Sequence, residues 1–353
     1  MGRPDADRDL ARDARIAAEA EHRRKIGAAK AHAKREAAVA KAYQRTIDEL
    51  EAALGVALRL DAPRPPVAVR VASSRESKAA CPIILASDWH VEEPVHPAHV
   101  NGMNEYSVAI AKRRAARFVE GVLWLLDTHR SGATIDEAVL GLLGDFITGW
   151  IHEELKSGNA MSPSEASEVM LDILRWVIGE ILKRAKLRRL RVICSRGNHG
   201  RITQKTYINA AARTSFEWLM YRVLAKFFDG DRRVTFTIED GYHTYVPVYD
   251  KVLRFHHGDA VTYQGGVGGL TIPLRKSIAR WNRARRADID FMGHYHQLLY
   301  GGDFVVNGSL IGWNDYAAWI GASPEPPQQA FVLIRPGRGV ASFDPVFCTE
   351  QGA

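Results

Sequence analysis

The fold prediction starts from one stretch of the sequence, Leu140-Gly141-Leu142-Leu143-Gly144-Asp145-Phe146-Ile147-Thr148-Gly149. Its apolar run stops at Gly144 and Asp145, which is typical of a buried strand that delivers one carboxylate at its carboxyl end. Gly144 permits a tight turn there, and Gly149 closes the loop that follows. A lone Gly-Asp pair is usually a simple turn. Asp145 therefore gains meaning only if other strands bring polar residues to the same place.

Four more predicted strands also end in polar residues. The five clusters, in chain order, are Asp88 with His90, Asp145, Asn198 with His199, His256 with His257, and His294 with His296. Open α/β sheets bind ligands beyond the carboxyl ends of their strands. Mixed carboxylate, imidazole and amide ligands suit Mn, Fe or Zn better than Ca. A carboxylate between two such ions can hold them ~3.5–4 Å apart, a geometry used for phosphoryl displacement by water.

The ordered motifs Asp-x-His, Gly-Asp, Gly-Asn-His, His-Gly and Gly-His-x-His resemble the calcineurin-like metallophosphoesterase superfamily, which includes repair nucleases. The resemblance runs from about Cys81 to Ser309. It implies an α/β fold, a four-layer α/β/β/α sandwich of two mixed β-sheets flanked by helices. We expect an N-terminal helical arm in front of that sandwich.

The resemblance also implies two divalent metal ions, with Mn as the first expectation and Fe, Zn or Mg as alternatives. The implied ligands form two sets that share one carboxylate: Asp88, His90 and His296 for the first ion, Asn198, His257 and His294 for the second, and Asp145 for both. Asp145 would thus lie at the catalytic centre, where hydroxide activated by the ions attacks phosphorus in line. His199 would not be a ligand; it resembles the general acid for the leaving oxygen.

Three positions refine this picture. His257 is preferred to His256 as a ligand because it directly precedes Gly258, and alternation turns neighbouring strand residues to opposite faces. The family usually has Asp or Glu after Gly-Asn-His, whereas this chain has Gly200, so another group must orient His199. The family's phosphoprotein phosphatases carry Asp-Arg-Gly shortly after Gly-Asp, and this chain reads Ile147-Thr148-Gly149 there. A serine/threonine protein phosphatase is therefore not expected.

Composition restricts the function classes further. The chain has 353 residues, 46% hydrophobic and 25% charged, which suits a globular protein with a substantial core. A net charge of +7 is compatible with a polyanionic partner but does not require one. Three widely spaced cysteines predict neither a disulfide framework nor a thiolate zinc site. With a charged amino terminus and no long apolar run, we expect a soluble, cytoplasmic protein without membrane contact.

The sequence predicts three segments: a charged helical arm over 1–60, a Pro-rich linker over 61–77 and the catalytic domain over 78–353. The arm is rich in Ala, Lys, Arg and Glu, which favours a long helix. Its few large apolar residues form a short seam at Tyr43, Ile47, Leu50 and Leu54. The seam could mediate oligomer formation, but an arm whose end packs on the body explains it more simply.

The substrate stays open between three hypotheses. The first is a phosphodiesterase or nuclease, in which the basic helix Arg275 to Arg286 meets nucleic acid and Trp281 stacks on a base. The same helix is equally well explained if Ile278 and Trp281 pack inward and its cations face solvent. The second hypothesis is a small-molecule phosphatase or cyclic-nucleotide phosphodiesterase. The third is a binding module that has the fold without catalysis.

Further elements follow from local patterns. Helical periodicity predicts helices over Glu105 to Leu126 and Asn209 to Phe228. Ser162-Pro163-Ser164-Glu165 predicts a capping box. The glycines between Gly265 and Gly269 predict a lid over the metals or a plain flexible turn.

Overall fold

The computed structural model describes residues 78–263 and 269–349, together with Lys30, Lys34 and Lys41. The chain divides into two compact units, Met1–Glu76 and Ser77–Ala353. The three described lysines of the first unit are helical. The rest of the predicted arm, the linker and most of the glycine-rich loop lie outside the described residues.

Eleven strands form two sheets in the part of the chain that the structure describes. In chain order they are β1 (Cys81–Ala86), β2 (Glu137–Leu142), β3 (Arg189–Cys194), β4 (Val234–Ile238), β5 (Thr244–Val248), β6 (Lys251–Phe255), β7 (Ile289–Met292), β8 (Leu299–Tyr300), β9 (Phe304–Val306), β10 (Gln328–Arg335) and β11 (Gly339–Phe347). The first sheet has the order β11-β10-β1-β2-β3-β4 and the second the order β5-β6-β7-β9-β8.

Both sheets are mixed. In the first sheet β1 to β4 run parallel, and β10 and β11 add an antiparallel edge. In the second sheet β6, β7 and β9 run parallel, and β5 and β8 flank them antiparallel. Parallel neighbours bring their carboxyl ends to one edge of a sheet, so each sheet gathers the loops that follow these strands.

Six α-helices lie in the same described regions. They are α1 (Val108–Arg130), α2 (Glu153–Gly158), α3 (Pro163–Arg184), α4 (Phe216–Phe227), α5 (Thr271–Ala284) and α6 (Asp315–Trp319). The predicted capping box at the start of α3 is confirmed, with Ser162 and Glu165 bonded reciprocally. None of the described helices has the length and apolar character needed to cross a bilayer.

The helices and sheets pack as four layers. Leu85 of β1 and Phe255 of β6 belong to one cluster between the sheets. The sheets pack so closely that a Cβ on Gly141 would lie 3.1 Å from Leu85 Cδ2 and 3.3 Å from Phe255 Cδ1. Helices α1, α3 and α4 cover the outer face of the first sheet. Helix α5 covers the second sheet through Leu274 and Ile278. The predicted α/β/β/α sandwich is confirmed.

Two helix starts differ from their predictions. Helix α1 begins at Val108 rather than Glu105, because Ser107 caps it by accepting the N–H of Ile110. Helix α4 begins at Phe216 rather than Asn209. The residues before α4 form a 3-10 turn over Ala212–Thr214 and an isolated bridge to Arg201, so they belong to the loop after β3.

Candidate metal centre

The polar clusters meet where strand ends from both sheets come together. After β1 and β2 the loops are joined by backbone hydrogen bonds, with Trp89 N–H donating to Asp145 O at 2.8 Å. After β6 and β7 the loops are joined likewise, with Gly293 N–H donating to His257 O at 2.8 Å. A contact from one sheet to the other completes the assembly: His294 N–H donates to Asp88 Oδ1 at 3.0 Å.

Backbone strain is concentrated in these loops. Among the described residues, eight that are not glycine have a positive φ, and five of those are predicted ligands: Asp88 (59°), His90 (46°), Asp145 (53°), His294 (75°) and His296 (54°). Left-handed conformations cost free energy for residues with a Cβ and persist where surrounding structure enforces them. The sequence does not reveal this strain. Its concentration in these loops indicates a site that needs side chains held in unusual directions.

The first group consists of Asp88, His90 and His296. One ligand atom from each lies within 4.8 Å of the others, so the group could hold a metal ion. His90 Nδ1 lies 3.0 Å from Thr148 Oγ1, while His90 Nε2 is buried and has no hydrogen-bond partner. A buried imidazole nitrogen without a partner is costly unless an ion or water meets it. This orphaned atom and the donor set fit a divalent ion.

The second group consists of Asp145, His257 and His294, whose ligand atoms also lie within 4.8 Å of one another. His257 Nδ1 donates to Leu143 O at 2.7 Å, which leaves Nε2 to face Asp145 Oδ2 at 2.9 Å. Asn198 Oδ1, the predicted amide ligand atom, lies 3.0 Å from the same Nε2. This donor set also fits a divalent ion.

Two predictions about the histidines after β6 and β3 can be compared with these positions. His256 is turned away from the site and lies against Asp290 and Trp281, whereas His257 faces Asp145. His199 belongs to neither group, and its ring centroid lies 4.8 Å from that of His90. The predicted division of the histidines therefore agrees with where their side chains lie.

Local charges set the protonation of the cluster. Burial and the neighbouring His199 keep the pKa of His90 well below its usual value. Burial and the charge of His257 lower the pKa of His294 to about 4. Burial alone would raise the pKa of Asp145, but His257 and His199 hold it well below its usual value. Burial also works to lower the pKa of His257, yet Asp145 raises it to about 10. His90 and His294 are thus neutral near pH 7, the form in which imidazole binds metals, whereas His257 keeps a proton that a bound ion would have to displace.

The backbone carbonyl of Thr148 orients the His199 ring. His199 Nδ1 donates to Thr148 O at 2.9 Å, and its backbone N–H donates to Asp145 Oδ1 at 2.8 Å. A carbonyl oxygen can only accept, so Nδ1 carries a hydrogen and Nε2 is the nitrogen left for other contacts. The group that contacts His199 Nδ1 is therefore a backbone carbonyl rather than a side chain at position 200.

Two buried carboxylates hold the loop after β2, and the sequence analysis missed both. Glu92 accepts the N–H groups of Thr148 at 2.8 Å and Gly149 at 2.7 Å. Glu217 accepts the N–H groups of Phe146 at 2.7 Å and Gly197 at 2.6 Å. Neither glutamate belongs to a motif, so the sequence alone does not single them out.

The basic helix α5 packs as the second of the two interpretations describes. Trp281 faces inward, with its ring 4.9 Å from that of His256 and 5.1 Å from the guanidinium of Arg254. Trp281 is partly buried in this packing against the second sheet. At the end of the helix, Arg286 lies 3.7 Å from Asp288, which precedes β7, whereas His294 follows β7. The cationic end of α5 thus lies at the opposite edge of the sheet from the candidate ligands.

Comparisons with known proteins find structures of low sequence identity and low TM-score. No protein-family model and no curated protein matches it. A hypothetical protein from Pyrococcus horikoshii OT3 is 11% identical over 76% of this chain and 87% of its own, with a TM-score of 0.37. A predicted phosphoesterase from Streptococcus pneumoniae is 14% identical over 73% and 84%, with a TM-score of 0.28. Vacuolar protein sorting 29 from Cryptosporidium parvum is 13% identical over 76% and 98%, with a TM-score of 0.30.

Similarities at these TM-scores support no conclusion about activity. The conclusions below therefore use only the sequence and structure of this chain. Its two mixed sheets lie between helices, as the resemblance implies. Its strand-end residues assemble into two adjacent groups able to bind metal. The four-layer sandwich and the two groups are both features that the sequence resemblance implies.

Proposed function

We propose that this protein hydrolyses phosphate esters with two divalent metal ions, manganese being the first candidate. The observation that carries the proposal is the pair of metal-compatible groups at the strand ends, Asp88/His90/His296 and Asp145/His257/His294. Two such ions, when bound, supply Lewis acidity that activates water and neutralises charge on phosphoryl oxygens.

The chain's own residues divide the remaining work. In the proposal, Asp88, His90 and His296 hold one ion, Asn198, His257 and His294 hold the other, and Asp145 is shared between them. The positive φ values of the loops aim these side chains at a common centre, and the hydrogen bond from His257 Nδ1 to Leu143 O fixes the ring that faces Asp145. Such outer contacts orient ligands before the metal arrives.

His199 is proposed to hold the proton for the leaving group. Its Nδ1–H is engaged by Thr148 O, so in the imidazolium form the proton at Nε2 would be the one passed to the leaving oxygen, which leaves a neutral ring. The edge-to-face contact with His90 keeps the His199 ring beside the first group. Thr148 therefore supports both histidines, through its carbonyl for His199 and through its hydroxyl for His90.

A phosphodiester is the proposed substrate class. The phosphoprotein phosphatases of the superfamily grip a phosphomonoester with the arginine of Asp-Arg-Gly shortly after Gly-Asp, and in this chain the fully buried Thr148 stands in the place of that arginine. A diester carries one negative charge fewer than a monoester dianion and needs less cationic contact. Nucleic acid is the proposed source of the diester, supported by the net charge of +7.

The test compares Mn²⁺-loaded protein on bis-p-nitrophenyl phosphate, p-nitrophenyl phosphate and single- and double-stranded DNA. We expect hydrolysis of the diesters to exceed that of the monoester and to vanish in Asp88→Asn. Preference for the monoester would favour a small-molecule phosphatase. Two bound ions with no hydrolysis of any ester would favour the non-catalytic binding module.

Salt dependence separates nucleic acid from other diesters. On duplex DNA each phosphate contact contributes about −0.9 to the slope of log affinity against log salt. Arg280 and Arg283 are exposed and have no ion-pair partner among the described residues, so their joint replacement by Ala should flatten the slope by up to about two units if DNA crosses α5. An unchanged slope would remove α5 from any DNA path.

A further inference from the structure

Gly200 occupies the position where the family usually has an acidic residue, and the space beside it is already filled. A Cβ at Gly200 would lie 2.6 Å from Glu217 Cγ and 3.0 Å from Glu217 Cδ. The φ of Gly200 lies outside the left-handed region, so its backbone would accept any residue. Glu217 therefore fills the space that a side chain at position 200 would need.

Glu217 is attached to this place by its helix. It is the second residue of α4, and the first, Phe216, donates its N–H to Gly200 O at 2.8 Å. Ser215 caps the same helix by accepting the N–H of Trp218. Acidic residues are favoured in the first turn of a helix because they meet its exposed N–H groups. The start of α4 thus carries a carboxylate directly into the loop after β3.

The fully buried Glu217 carboxylate joins two loops that hold predicted ligands. Its Oε1 accepts the N–H of Phe146, next to Asp145, and its Oε2 accepts the N–H of Gly197, next to Asn198. Each of the two oxygens serves one loop, so a single side chain sets the distance between them. Glu92 differs, because both its hydrogen bonds go to the loop after β2.

We infer that Glu217 is a positioning residue: helix α4 brings its carboxylate beside position 200, where it ties together the loops of Asp145 and Asn198 and so fixes both residues for a shared metal ion. The inference depends on the proposed metal centre but not on turnover. It makes Glu217 a residue that acts through the ligands, because its two oxygens are occupied by backbone N–H groups rather than turned to the centre.

Transfer of the carboxylate between helix and loop tests the inference. Glu217→Ala should weaken binding of the second Mn²⁺ ion about 10–100-fold, the usual effect of losing a group that orients a ligand. The double variant Glu217→Ala/Gly200→Glu should regain most of that affinity, because a side chain at 200 starts 3.3 Å from the present Oε2. The readout is calorimetric titration with Mn²⁺ alone, accompanied by thermal unfolding of each variant.

Glu217→Gln serves if Glu217→Ala does not fold. The amide keeps one acceptor and turns an NH₂ group toward the other N–H donor, so we expect a smaller loss of Mn²⁺ affinity in a folded protein. Unchanged Mn²⁺ affinity in Glu217→Gln would overturn the inference. A double variant that regains thermal stability but not affinity would also overturn it, because Glu217 would then only support the fold. Wild-type protein that binds no Mn²⁺ would instead refute the proposed function.

Discussion

Replacing Asp290 by Asn should be among the most destabilising single changes in the second sheet. Asp290 binds Arg254 with both oxygens, at 2.6 Å to Nε and 2.9 Å to Nη2, and the two side chains are 1% and 0% exposed. Burial works to lower the pKa of Arg254, but the hydrogen bonds and charge of Asp290 raise it overall, so the guanidinium stays charged. The substitution would leave this charge buried without its partner.

The structure sets the size of the effect. Removing one member of a buried ion pair typically costs about 3–5 kcal/mol. Arg254 has few other hydrogen-bond partners that could replace Asp290, because its Nη1 reaches Tyr245 Oη and Arg285 O only at 3.4 Å. Asn could still accept one hydrogen bond, which places the expected loss near the lower end, about 3 kcal/mol.

Urea unfolding measures the loss, and an exposed ion pair between helix α5 and the residue before β9 provides the control. Arg275 and Asp303 are 2.8 Å apart but 49% and 44% exposed, so Asp303→Asn should cost less than about 1 kcal/mol. A loss below about 1 kcal/mol for Asp290→Asn as well would contradict a buried, unpaired charge on Arg254. The guanidinium would then have to reach water or another partner.

Three shorter predictions concern the site and its surroundings. His199→Gln should keep its Mn²⁺ but lose about 10²–10⁴-fold in turnover, less on nitrophenyl esters; equal losses on good and poor leaving groups would exclude an acid role. Gly144→Ala should lower the unfolding temperature, because Gly144 has φ +90° and a Cβ would lie 2.2 Å from a backbone nitrogen; Gly158→Ala, with open space around it, is the control. The three buried cysteines should resist thiol reagents at pH 8 until the chain unfolds, since burial raises the pKa of Cys81 to about 12; rapid labelling of native protein would contradict this.

The sequence predicted strands better than helix starts, for a physical reason. The five polar clusters predicted at strand ends do follow strands, namely β1, β2, β3, β6 and β7, because a largely buried run stops where the chain turns polar. The start of α4 was wrong by seven residues, from Asn209 to Phe216, because periodicity continues through a segment that packs as a loop beside the site. Ser215, a good N-cap, was the local signal that separates the two.

The candidate ligands could be predicted because ordered motifs place them at strand ends. Their supports could not, because each support is defined by a contact across the fold. Glu217 and Glu92 are single glutamates without a pattern, and their roles follow from backbone N–H groups far along the chain. The direction of Trp281 was equally open in sequence, since helical spacing does not say which face is buried; its contacts with His256 and Arg254 decide it.

The metal content of wild-type protein and of Asp145→Asn tests directly whether two metal ions share Asp145. Asp145 lies in the second group and its backbone carbonyl accepts the N–H groups of Trp89 and His90, so it belongs structurally to both halves of the site. After equilibration with Mn²⁺ and removal of free ion, elemental analysis should find about two ions per wild-type chain. The folded Asp145→Asn variant should hold fewer. Two ions in the variant, or none in the wild type, would contradict a dinuclear centre that shares Asp145.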